Sequence, residues 1–138
     1  MGQRSFYVPP EGAPNGYAMP IADLYRRLGD GLWRGPLVGA PNLRVVVHNW
    51  LPGHATVPHH HPNGHEIFMV LRGAAGFTID DGPEIVAGPD VVLSAPPGVR
   101  HAIRVIGDEP VLLFTAVAPN EDRPDETIEQ DPADRRFR

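Results

Sequence analysis

The stretch Gly53-His-Ala-Thr-Val-Pro-His59-His-His61-Pro-Asn-Gly-His-Glu66-Ile-Phe-Met-Val-Leu-Arg-Gly73 decides how this chain is read. On a strand, side chains two apart point the same way. His59 and His61 therefore share a face, and His60 points to the other one. Pro62-Asn63-Gly64 is a strong turn signal. The chain then returns along Glu66 to Leu71, and a hairpin of this length can set the Glu66 carboxylate beside the two imidazoles. Two nitrogens and one oxygen on rigid strands make three corners of a transition-metal site, whereas calcium would ask for more oxygens.

A fourth ligand has to come from elsewhere, and His101 is the natural candidate. It follows the turn Pro96-Pro97-Gly98 and opens another strand, as a residue at a barrel mouth should. The other histidines are weaker: His48 lies mid-strand, and His54 and His65 lie in or beside turns. Alternation predicts that His60 and His65 point away from the site. Glu66 could also serve as a general base, but its place beside the imidazoles favours a ligand.

Working outward, Leu43–Trp50 reads as a strand rich in β-branched residues. Further strands are expected at 56–61, 66–71, 75–79, 84–87, 91–95, 100–106 and 111–117. They recur about every ten residues, the spacing of sandwiches and small barrels. Ile21 to Gly29 reads as a short helix with a Gly stop. The division is then 1–42 as an N-terminal arm with room for that helix and a strand, 43–118 as the barrel, and 119–138 as a polar tail. On strand 66–71, Glu66, Phe68 and Val70 should face the interior. Ile67, Met69 and Leu71 then need cover, from the N-terminal arm or from a second subunit. Trp50, Phe68, Phe77 and Phe114 are expected in the core.

Composition narrows the chemistry. Seventeen Pro and fifteen Gly in 138 residues suit short strands and tight turns rather than a helix bundle. There is no Cys, which excludes disulfides, thiolate nucleophiles and Cys-based metal sites. There is no Lys either, since all twelve basic residues are Arg, so Schiff-base chemistry is excluded. A net charge of −5 without a basic stripe argues against nucleic acid. Apolar runs fall far short of a membrane span, and no secretory signal is apparent, so a cytoplasmic location is expected. Seven His remain, five of them between His54 and His65. Imidazole, carboxylate or a metal they hold must carry any chemistry.

The quoted segment resembles the first cupin motif: Gly, five residues, His-x-His, three or four residues, Glu, six residues, Gly. Gly53, His59, His61, Glu66 and Gly73 fill every fixed position. The second motif is Gly, five residues, Pro-x-Gly, two residues, His, three residues, Asn. Pro96, Gly98 and His101 match it, while Asp90 stands where the leading Gly belongs and Val105 where the Asn belongs. The first departure implies an altered turn before Val91; the second removes a polar group near the barrel wall. The resemblance implies an all-β fold, a double-stranded β-helix of jelly-roll type with a metal inside one end. Carried over residue by residue, the ligands of one divalent transition metal per chain would be His59, His61, Glu66 and His101. Fe, Mn, Ni, Zn, Co and Cu all occur among cupins, and the resemblance does not choose between them.

The function expected from this resemblance is metal-dependent enzyme chemistry on a small organic molecule. An oxygenase-type reaction is favoured over isomerisation, cyclisation or decarboxylation. The alternative is a cupin that binds or senses a small ligand without turnover; a storage or scaffold role ranks last. The expected partners are a small-molecule ligand or substrate and a second copy of the chain, with no nucleic acid and no membrane. Arg100 and Arg104 flank His101 and are expected at the surface; an inward Arg would select a carboxylate or phosphate.

Overall fold

The computed structural model describes residues 20–22 and 28–121. The eight strands are β1 Trp33–Ala40, β2 Leu43–Trp50, β3 His65–Arg72, β4 Ala75–Ile79, β5 Ile85–Ala87, β6 Val92–Ala95, β7 His101–Val105 and β8 Val111–Ala118. They form an antiparallel five-stranded sheet in the order β1-β2-β8-β3-β6 and a three-stranded one in the order β5-β4-β7. The all-β jelly-roll expectation therefore holds. The helix expected at 21–29 falls largely on 23–27, and the tail after 121 on 122–138; both lie outside the described residues. Among the described residues no helix is long and apolar enough to cross a membrane.

Alternation sorts side chains as the sequence predicts. Glu66, Phe68 and Val70 of β3 are buried inside the barrel, where Phe68 and Val70 join a core with Trp50, Phe77, Ile103 and Leu113. On the outer face of the larger sheet, Trp33, Val47 and Leu112 form a second cluster, with Ile21, Leu71 and Phe114 packed against it. Ile21 thus covers part of that face, and Asn49 Nδ2 donates to the Gly31 carbonyl at 2.7 Å. Phe114 is half-buried on this outer side and not in the barrel core. Elsewhere on that face Ile67 is 41% exposed and Val92 63%.

The strand expected at 56–61 is not a regular strand. Its contacts with β7 are two isolated bridges, Ala55 with Arg104 and His59 with His101. Four residue steps on one side face three on the other, so one extra residue is accommodated, as in a bulge. Two features break the ladder. Pro58 has no N–H to give, and the Thr56 hydroxyl takes the Ile103 N–H at 3.0 Å in place of a carbonyl. After the irregularity, His59 and His101 exchange backbone hydrogen bonds of 3.0 and 2.8 Å, which fixes these two residues side by side.

Turn chemistry explains the motif glycines that matter most. Gly73 has φ +82°, and a Cβ there would lie 2.5 Å from the Pro110 carbonyl oxygen. Asp90 takes φ +76°, the left-handed conformation a glycine would adopt freely. Asp tolerates this region better than most residues with a side chain.

Candidate metal centre

Four side chains converge inside one end of the barrel. The candidate ligand atoms of His59, His61, Glu66 and His101 all lie within 4.8 Å of one another. His61, Glu66 and His101 are buried and His59 is half-buried. His59 and His61 come from the irregular segment beside β7, Glu66 from β3 and His101 from the start of β7. His60 and His65 are exposed, and His65 pairs with Ser94 Oγ at 2.7 Å.

The hydrogen bonds set the tautomers. His59 Nδ1 meets the Val57 carbonyl at 3.1 Å and His101 Nδ1 the Val99 carbonyl at 3.0 Å. A carbonyl only accepts, so each Nδ1 donates. In the neutral ring Nε2 then carries a bare lone pair, the arrangement that prepares imidazole for a metal. His61 Nε2 and His101 Nε2 each lie 3.0 Å from Glu66 Oε1. His101 Nε2 is buried there without hydrogen-bond geometry. A lone pair 3.0 Å from a carboxylate oxygen repels it unless a cation stands between them. Three imidazoles and one carboxylate suit a divalent transition metal, so the residues present fit the group.

Charge states agree. Burial raises the Glu66 carboxyl, but hydrogen bonding and positive charge from the His101 and His61 rings, when protonated, outweigh it and hold the group at about 2; a metal between them would supply the same positive charge. Glu66 is therefore ionised. Burial, followed by the neighbouring His101, lowers His59 to about 3, so its imidazole is neutral in ordinary conditions.

A second buried group lies on β2. His48 and Trp50 share the barrel face, their rings 5.1 Å apart, and Trp50 lies 4.5 Å from His54. Burial first, then Arg34 and Arg44, lowers His48 to about 3. In the unfolded chain His48 titrates near 6.5, so between that pH and about 3 the unfolded state binds more protons. The stability His48 contributes is complete above this window and is lost as pH falls through it. Urea titrations should show about 2 kcal/mol lost to this residue between pH 6.5 and 5. His48→Phe should flatten that limb; an unchanged acid limb would contradict the assignment.

The family model for a cupin domain matches residues 46–117, just over half of the chain. The chain belongs to the cupin family. Solved structures agree on the fold. A Klebsiella pneumoniae protein with a double-stranded β-helix domain is 22% identical with a TM-score of 0.67, covering 84% of this chain and 97% of its own. A Thermus thermophilus protein is 22% identical at 0.65, covering 74% and 96%. KdgF from Halomonas sp. is 22% identical at 0.59, covering 64% and 81%. No curated protein matches this cupin.

Sequence reasoning missed Glu121, read as part of a solvated tail. It is buried, and its carboxylate accepts from Asn63 N at 2.8 Å and Asn63 Nδ2 at 3.4 Å. It clamps the turn that joins His61 to Glu66. A Cβ on Gly64 would lie 2.7 Å from Glu121 Oε1, so the turn signal carried part of this information. Arg100 and Arg104 point outward as expected; Arg104 makes a two-pronged pair with Glu84 at 2.6 and 2.8 Å.

Proposed function

We propose that this cupin binds one divalent transition metal through His59, His61, Glu66 and His101 and uses it to transform a small organic molecule, in an oxygenase-type reaction. The observation that carries the reading is the buried His101 Nε2 facing Glu66 Oε1 at 3.0 Å without a hydrogen bond. When bound, such a metal supplies a Lewis acid with open positions for substrate or dioxygen. The protein's part is to hold the donors. Backbone carbonyls fix the rings of His59 and His101, Glu66 brings the negative charge, and Glu121 fixes the turn between two of the donors. Phe68, 5.2 Å from the His101 ring, walls one side with apolar surface.

The test is oxygen uptake by iron-, nickel- and manganese-loaded protein with a panel of small organic acids, beside the His101→Ala variant. Uptake lost in the variant supports the reading. Saturable binding with no product and no uptake in any metal form would overturn turnover and leave a ligand-binding cupin.

We further propose a homodimer through the exposed part of the outer sheet face. Ile67 and Val92 are exposed on the paired strands β3 and β6, where Val92 stands opposite Met69. Light scattering after gel filtration should give twice the chain mass, and Ile67→Lys with Val92→Lys should give one. A wild-type monomer at all concentrations would contradict it.

A further inference from the structure

We propose that Arg34 and Arg44 bind an anionic group, a carboxylate in the first instance, of the small molecule that reaches the cluster of His59, His61, Glu66 and His101. The inference deepens the reading above and rests on it only in treating the barrel interior as a small-ligand site.

Ladder register places both arginines on the inner wall. Arg34 stands directly opposite His48 in the β1–β2 pair, and directly paired residues share a face. His48 and Trp50 face the barrel, so Arg34 does too. Arg44 lies on the same face of β2, four positions before His48. Arg44 and Glu66 both pair with Val117 of β8, so they occupy one rung of the sheet. Two strand spacings, roughly 9–10 Å, separate their backbones. A long Arg side chain and a ligand of a few atoms span that gap.

Electrostatics ties the groups together. Arg34, Arg44 and Glu66 all act on the buried His48, the first two lowering and the last raising it. Two cations and the carboxylate of the cluster therefore lie within reach of one interior side chain. Both arginines are half-buried and engage other groups of the protein. Each carries five N–H donors in a planar fork whose geometry matches a carboxylate two-pronged.

The unfilled groups nearby point to the same ligand. His48 Nδ1 and Trp50 Nε1 are buried without a hydrogen-bond partner among the described residues. The indole N–H only donates, so it asks for an acceptor.

The test is calorimetric titration of metal-free and zinc-loaded protein with succinate, benzoate and inorganic phosphate, and with the neutral succinamide and benzamide. A carboxylate should bind at least about tenfold more tightly than its amide. Arg34→Gln and Arg44→Gln should each weaken carboxylate binding by about tenfold or more and leave the amides unchanged. Arg34→Lys should recover part of the affinity. Zinc stoichiometry, read on the same samples, should match wild type in all three variants, and far-UV circular dichroism should show each of them folded. Loss of zinc from wild type would count against the metal reading and leave the anion result standing by itself. Binding by phosphate alone would support the anion site and move its ligand to phosphate esters. Equal affinity for acid and amide, unchanged affinity in the double variant, or no binding of any of the three anions would overturn the proposal.

Discussion

Replacing His101 by Ala should strip the site, lowering zinc or nickel affinity by at least about a hundredfold. His101 Nε2 is the donor whose position makes least sense without a cation, being buried 3.0 Å from Glu66 Oε1 with its proton committed to the Val99 carbonyl on the other nitrogen. Glu66→Gln sharpens the test, because it keeps the shape and removes the charge. Metal affinity should fall by a similar factor. The metal-free variant should unfold no earlier than metal-free wild type, since an amide N–H can donate to the lone pair that the carboxylate opposes. Competition with a chromophoric chelator reads the first result and thermal unfolding with chelator the second. A Glu66→Gln protein that keeps wild-type affinity would show that the carboxylate is not a donor.

Gly73→Ala should be among the most damaging single substitutions outside the site, at about 3 kcal/mol. Two causes add. The residue sits at φ +82°, where an L side chain is strained, and its Cβ would lie 2.5 Å from the Pro110 carbonyl oxygen. Backbone cannot step aside there without disturbing β8, whose first residue Val111 is buried in the core. Urea unfolding of the metal-free protein measures this directly. A loss below about 1 kcal/mol would mean that the turn is softer than its geometry implies.

How much of this was legible follows from where the period-two pattern is clean. β2 and β4 could be read to their ends because Leu43–Trp50 and Ala75–Ile79 are bounded by turn residues and broken by none. β1 was harder. Its sequence, Trp-Arg-Gly-Pro-Leu-Val-Gly-Ala, carries Gly35, Pro36 and Gly39, and its register shifts between Pro36 and Val38. An edge strand tolerates that proline because one row of its N–H groups has no partner to serve. The same feature hid Arg34. Without a strand there was no face to assign, so the sequence drew attention to Arg100 and Arg104 beside His101, and those point outward. The four converging residues were legible from the turns beside them and from the match to the cupin motifs, although the segment that carries His59 and His61 is not a regular strand. Glu121 was not, since its role depends on a turn nearly sixty residues earlier in the chain.

The most direct test of the central claim is elemental analysis by plasma mass spectrometry on untagged protein, with the His59→Ala/His101→Ala double variant alongside. The account predicts one transition metal at near one per chain in wild type, lost in the variant. Wild-type protein that holds no more metal than the variant, even after reloading with zinc, nickel, manganese and ferrous iron in turn, would contradict it.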